Sequence, residues 1–241
     1  MSSFAQCIGG AKVYLAVYEN LIYPRFLRKY GGRKLSQEDV WGVLSSSTKL
    51  PAEAGPILDL GCGTGWFSRR LVEHHGPAGP VVIGVDQSEH AIDRAKKLQK
   101  QVGISSERLS FVVEDMETPK LALADLGCQD HELASEVWLC GCLHQLQEPE
   151  DMLRRIRGLL ALGGRLCIQT LEEPSQHNQR VDVAVMRKMG QKIFRPGEAE
   201  KVLSLTGYDV VRMEAIGFIK LVVATSQATQ VERKNDEWKL R

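Results

Sequence analysis

The spacing of apolar positions changes character near residue 56. Before that point, Tyr14, Leu15, Tyr18, Leu21 and Ile22 recur at helical intervals and predict a helix that Pro24 interrupts. Gly31-Gly32 marks a break, and Ser36 followed by Glu38 and Asp39 predicts a capped helix start ahead of Val40, Trp41 and Leu44. Residues 45–55 read as a polar loop around Pro51. Beyond it, short unbroken apolar runs alternate with amphipathic stretches. Strands are predicted at 56–60, 81–85, 109–113, 136–140 and 165–171. Helices are predicted at 66–75, 89–101 with Ser88 as cap, 149–162 and 196–205. Two closing strands, 208–213 and 218–225, read as an antiparallel pair. Apolar strands alternating with helices imply an α/β fold whose parallel sheet is covered by helices on both faces. Residues 1–50 then form a helical cap or lid, and 51–241 the α/β domain.

In such a sheet, ligands bind where the strands end at their carboxyl edge. The polar residues that interrupt the apolar pattern fall on that edge. The first strand runs into Asp59-Leu60-Gly61-Cys62-Gly63-Thr64-Gly65, the second ends at Asp86-Gln87, and the third at Asp115-Met116. Glycines at 61, 63 and 65 let the backbone turn tightly and approach a ligand. No Lys-Ser or Lys-Thr follows them, so the segment is not a P-loop. The dinucleotide pattern wants a third small residue where Trp66 stands, and Asp59 would repel a pyrophosphate but suits a cation. An ammonium-bearing ligand without phosphate fits better. Asp86 can accept both hydroxyls of a ribose, Asp115 can accept an adenine amino group, and Met116 can pack on the ring.

Charge and composition narrow the partners. Thirty-one basic against 30 acidic residues give a net charge of +1, without the basic excess that phosphate-driven nucleic-acid binding favours. No nucleic-acid partner is expected. No stretch reaches the ~20 apolar residues of a membrane span, and Lys12 and Glu19 interrupt any leader-like segment at the N-terminus. A cytoplasmic protein is expected; the sequence sets no oligomeric state. The six cysteines (Cys7, Cys62, Cys128, Cys140, Cys142 and Cys167) read as free thiols, and Cys140-Gly141-Cys142 lacks the spacing of a zinc or redox motif. No metal site is expected. The basic run Arg25, Arg28, Lys29, Arg33 and Lys34 reads as a solvated helix face.

With these residues in place, the chain resembles the class I S-adenosylmethionine-dependent methyltransferases, in particular the small-molecule branch of the ubiquinone/menaquinone-biosynthesis type. Residues 57–65 match the family's first motif, Val85-Asp86-Gln87-Ser88 its ribose acid, and Val113-Glu114-Asp115-Met116 its adenine motif. Leu143-His144-Gln145-Leu146 and residues 160–166 resemble the motifs around strands four and five. Gln145, Leu162 and Glu136 depart from the usual histidine, proline and aspartate there. The resemblance implies a Rossmann-like, doubly wound sheet of seven strands, the last antiparallel. It implies S-adenosyl-L-methionine as cofactor, with the glycine loop under its amino-acid end. Cys140, Gly141 and Leu143 would then lie near the sulfonium, and Tyr18 or Tyr23 would serve as a lid.

Methyl transfer is an in-line displacement in which the protein aligns the reactants and removes water. A base helps only where the nucleophile must lose a proton. His144, just past the fourth strand, is the candidate, and His177 a lesser one; His74, His75, His90 and His131 read as solvated. No Asn-Pro-Pro-Tyr segment follows the fourth strand, so a small organic acceptor with an O, N or C nucleophile is expected. A non-methylating reaction on the same fold, or a protein or RNA acceptor, stays open as the alternative.

Overall fold

The computed structural model describes residues 15, 17–31, 35–45, 50, 51, 53–117, 126, 133–174 and 180–227. A π-helical turn, Tyr18–Ile22, leads into α1 (Tyr23–Tyr30), followed by α2 (Gln37–Leu44). Then come β1 (Ile57–Leu60), α3 (Trp66–His75), β2 (Val82–Asp86), α4 (Glu89–Gln101), β3 (Leu109–Val113) and β4 (Ala134–Cys140). A short 3₁₀ turn, Leu143–Gln145, precedes α5 (Pro149–Leu159) and β5 (Leu160–Leu171). The chain continues through α6 (Arg180–Lys188), α7 (Glu198–Leu205), β6 (Tyr208–Ile216) and β7 (Ile219–Ser226).

The seven strands lie in one sheet of order β3-β2-β1-β4-β5-β7-β6. Only β7 runs against the others, pairing antiparallel with both β5 and β6. Chain progression reverses between β1 and β4, which places the topological switch point at the ends of those two strands. The crossover helices divide between the faces. Met152, Leu153 and Ile156 of α5, with Val202 and Leu203 of α7, pack against Leu58, Val137 and Ile168. On the other face Leu27, Val40, Leu44, Leu71, Ile92 and Met186 cover Ile57, Trp138, Cys167 and Leu221. Both N-terminal helices belong to this second layer, so α1 and α2 are built into the domain's core.

Several boundaries differ from the sequence reading for identifiable reasons. Pro24 does not end the first helix. It sits in the opening turn of α1, where its missing N–H loses no bond, and the chain enters through the wider π-turn closed by Tyr23 N–H on the Tyr18 carbonyl. The helix at 149 stops at Leu159 rather than 162, because Leu160 already pairs with Ala134 and β5 continues through a register shift. Helix α6 was not anticipated; of its described side chains Val183 and Met186 are buried, too short an apolar stripe to stand out among charges. Ser36 caps α2 as expected, in a reciprocal box with Asp39.

Candidate functional site

The glycine loop bridges β1 and α3. Gly61 and Cys62 both donate backbone N–H to the Val85 carbonyl, at 2.8 and 2.9 Å, which ties the loop to the end of β2. Gly65 caps α3 at φ +76°, and a Cβ there would stand 2.5 Å from the Phe111 ring, so neither the turn nor the packing admits a side chain. Gly63 is different. Its φ of +55° also favours glycine, yet nothing lies within 4 Å of where its Cβ would be. The loop is therefore bare on the side that faces open space.

That space is a cavity at the switch point. Its wall combines the loop (Gly61–Thr64), the strand-end acids Asp86 and Asp115 with Gln87 and Met116, and the residues after β4 (Cys140, Gly141 and Cys142). Leu15, Tyr18, Glu19 and Tyr23 close it from the N-terminal segment. Asp86 accepts from Gly63 N–H through Oδ2 and from Ser88 N–H through Oδ1, each at 2.9 Å. Burial raises its pKa, partly offset by those two bonds. Each oxygen keeps lone pairs for a ligand hydroxyl. Asp115 Oδ1 accepts from Glu117 N–H at 2.9 Å, which fixes the carboxylate at the rim.

Nine of the sequence-predicted binding residues thus line one cavity: Tyr18, Gly61, Cys62, Gly63, Asp86, Gln87, Asp115, Met116 and Cys140. Asp59 and Gly65 do not reach its surface. Gly65 is spent on the turn. Asp59 is buried below the loop, its Oδ2 accepting from Ser68 Oγ at 2.5 Å, and burial pushes its pKa up to about 6. Leu143 turns into the core rather than the cavity.

His144 requires the main correction. The 3₁₀ turn winds it inward to 4% exposure, it is absent from the cavity wall, and its Nδ1 has no partner. Burial lowers its pKa to about 4, so the ring is neutral at physiological pH, and its place in the core rather than in the cavity wall is what keeps it from a substrate proton. His144→Leu is therefore expected to change turnover less than about threefold, whereas loss of a true general base costs ~10²–10⁴-fold. The same substitution removes an acid-labile group. A histidine with a folded pKa near 4 and an unfolded value near 6.5 loses stability as pH falls between those values, so the variant should resist acid better in a pH series of melting curves. His177 lies outside the described residues. His75 proves buried, its Nδ1 accepting from Leu50 N–H at 3.0 Å, and His74 is half-buried against Trp41.

One part of the site was not read from sequence. Glu19 takes two bonds from Arg69, at 2.8 and 2.9 Å, and one from Thr64 Oγ1 at 2.5 Å, while Arg69 also donates to the Thr64 carbonyl at 2.7 Å. This ion pair, with side chains only 10–15% exposed, ties the N-terminal segment to the glycine loop. Among the described residues no group of three or more His, Cys, Asp or Glu side chains forms a metal cluster, and Cys62, Cys140, Cys142 and Cys167 are free thiols. Arg25, Arg28 and Lys29 are exposed; Arg33 and Lys34 lie outside the described residues.

Comparison with known proteins agrees with this geometry. Residues 52–216 match the model of a methyltransferase domain family, and the chain belongs to it. S-adenosylmethionine is the cofactor this family uses. The chain is 25% identical over 184 residues to the tRNA U34 carboxymethyltransferase of Vibrio cholerae, covering 76% of this chain and 50% of that protein. It is 28% identical over 115 residues to the ubiquinone biosynthesis O-methyltransferase of Coxiella burnetii, covering 48% of this chain and 43% of that one. It thus spans about half the length of the curated relatives it matches. Among solved structures, the [4+2]-cyclase SpnF shares the fold with a TM-score of 0.64 at 16% identity, over 95% of this chain and 98% of that one. No helix among the described residues is long and apolar enough to cross a membrane.

Proposed function

We propose that this chain binds S-adenosylmethionine in the switch-point cavity and transfers its methyl group to a small organic acceptor. The observation that carries the reading is the composition of the wall. A bare glycine loop and two strand-end carboxylates share one cavity with the tyrosines of the N-terminal segment. The donor set fits the cofactor. Asp86 takes the ribose diol, Asp115 the adenine amino group, and Met116 packs on the ring. The loop from Gly61 to Gly63 receives the amino-acid end, and Cys140 and Gly141 face the sulfonium. The segment carrying Leu15, Tyr18, Glu19 and Tyr23 acts as a lid, with Tyr18 and Tyr23 excluding water and Glu19 holding the segment to the loop through Thr64 and Arg69. The bound cofactor supplies a sulfonium-activated methyl. The protein's share is alignment and a dry site.

Charge favours a small acceptor over RNA. The described wall contains Glu19, Asp86, Asp115 and Glu117 and neither Lys nor Arg, and Glu19 is paired with Arg69 behind it. A phosphodiester, or a carboxylated transferring group, would bring further negative charge to that wall. Incubation with methyl-labelled cofactor, a panel of small hydroxylated and amino compounds, and bulk tRNA tests the reading. Label should appear in a small acceptor. Label in the tRNA would overturn the acceptor class. Product formed while all label stays on the cofactor would overturn methyl transfer.

A further inference from the structure

β4 delivers the chain to the cavity through Cys140-Gly141-Cys142, and this turn is pinned by three hydrogen bonds. Gly141 N–H donates to the Gln169 carbonyl at 2.9 Å, which continues the ladder between β4 and β5. Cys142 Sγ donates to the Leu60 carbonyl at 3.2 Å. Between them the Gly141 carbonyl accepts from Gln145 Nε2 at 2.7 Å. The first two bonds go to backbone of the sheet. The third comes from a side chain that itself lines the cavity.

Local geometry explains why a side chain is needed there. Gly141 has φ +85°, and the nearest atom to a Cβ on it, Gln169 Oε1, would be 4.0 Å away, so backbone conformation rather than crowding calls for glycine. The 3₁₀ turn that follows takes Cys142 and Leu143 as its acceptors, for Gln145 N–H at 2.8 Å and Leu146 N–H at 3.3 Å. The Gly141 carbonyl stands one residue too early for that turn, and Gln145 reaches back four residues to satisfy it. A carbonyl only accepts, so the amide must present its nitrogen, which assigns its orientation.

The turn also bears on the glycine loop. A Cβ on Gly61 would stand 2.7 Å from Cys142 Cβ, so the two segments are in close contact. In the reading above, the loop receives the cofactor's amino-acid end and Gly141 faces the sulfonium. Asp86 and Asp115, which take the nucleoside, belong to β2 and to the segment after β3. A slack Gly141 turn would be felt at the sulfur and amino-acid end and not at the nucleoside.

The geometry points to Gln145 as a positioning residue: its bond to the Gly141 carbonyl sets the backbone against which the cofactor's sulfur and amino-acid end rest. This role rests on the cofactor reading above and adds a residue to it. Gln145 stands where the family often carries a histidine, and either side chain offers one N–H donor to the same carbonyl. His144 does not compete for it, because the same turn winds that ring into the core.

Q145M keeps the length of the side chain and removes the donor, whereas Q145H restores one. Each is titrated by calorimetry with S-adenosylhomocysteine and with adenosine, which lacks the amino-acid end. Q145M should bind S-adenosylhomocysteine about tenfold more weakly than wild type, the size of one hydrogen bond, and adenosine within about twofold. Q145H should return S-adenosylhomocysteine to within about threefold of wild type. Amide exchange at residues 141–146 should quicken in ligand-free Q145M, while its melting should stay with wild type, since Gln145 is only half-buried. Unchanged S-adenosylhomocysteine affinity in Q145M, equal losses for both ligands, or a Q145H no better than Q145M would each overturn the assignment. So would a Q145M that melts well below wild type, which would make Gln145 a support of the fold. Wild type that binds no S-adenosylhomocysteine defeats the proposed function and this role with it. Equal, tight binding by wild type and both variants defeats the role of Gln145 alone.

Discussion

Asp86→Ala is expected to weaken S-adenosylhomocysteine binding by at least about 100-fold in calorimetry. Two hydrogen bonds from a ribose diol to a partly buried carboxylate contribute ~1.5–3 kcal/mol each, and every ~1.4 kcal/mol is a factor of ten. The position has a second role that adds to the loss. Asp86 holds Gly63 N–H at 2.9 Å and Ser88 N–H at 2.9 Å, so alanine leaves both donors unpaired and unpins the loop that faces the ligand. The two contributions can be told apart. Loop release alone should show as faster amide exchange at residues 61–65 with a modest affinity change. Loss of the diol contact should appear equally for adenosine, which has the ribose but no amino-acid end to meet the loop. Undiminished affinity for adenosine would remove Asp86 from the ribose site.

That prediction was legible before any coordinates, and the reason is local. β1 and β2 are short runs buried on both faces, β3 is an edge strand buried chiefly through Leu109 and Phe111, and each ends where a polar residue must meet solvent or ligand: at the glycine loop, at Asp86 and just before Asp115. Strand ends, rim acids and loop glycines are neighbours in sequence, so the cofactor half of the site could be assembled from it. The part of the wall that the N-terminal segment supplies could not. Glu19 meets Arg69 across 50 residues, and Tyr23 meets Gln169 across 146. In the sequence Glu19 looks like an ordinary helix charge and Gln169 like one polar residue in a strand. His144 misled for a related reason. Its position after β4 placed it near the cavity, but a single 3₁₀ turn sets the direction of its side chain, and spacing along the chain does not encode that turn.

Asp59→Asn should make the ligand-free protein more stable at pH 8 and a poorer binder of the cofactor. Asp59 is 1% exposed, and its principal partner, Ser68 Oγ, is neutral. Burial holds its pKa near 6 against an ordinary 3.8, with the Ser68 bond and Arg69 pulling the other way. The folded state therefore holds the proton more tightly than the unfolded chain, and folding stability falls as pH rises from about 4 to about 6. At ~1.4 kcal/mol per unit, the ionised carboxylate costs about 3 kcal/mol above pH 6. Asparagine keeps an oxygen for Ser68 and carries no charge, so thermal melts should converge with wild type near pH 4 and exceed it at pH 8. A group that destabilises the empty protein is consistent with one that acts when a cation arrives. An ammonium on the cofactor's amino-acid end, held by the loop directly above, would favour the carboxylate and draw its pKa down. Cofactor binding to wild type should then release protons near pH 6, and binding to the asparagine variant should not. Calorimetry in two buffers of different ionisation enthalpy reads that difference. Equal proton release from both proteins would show that Asp59 does not sense the ligand, and a variant less stable than wild type at pH 8 would show that the carboxylate is better paired than its burial implies.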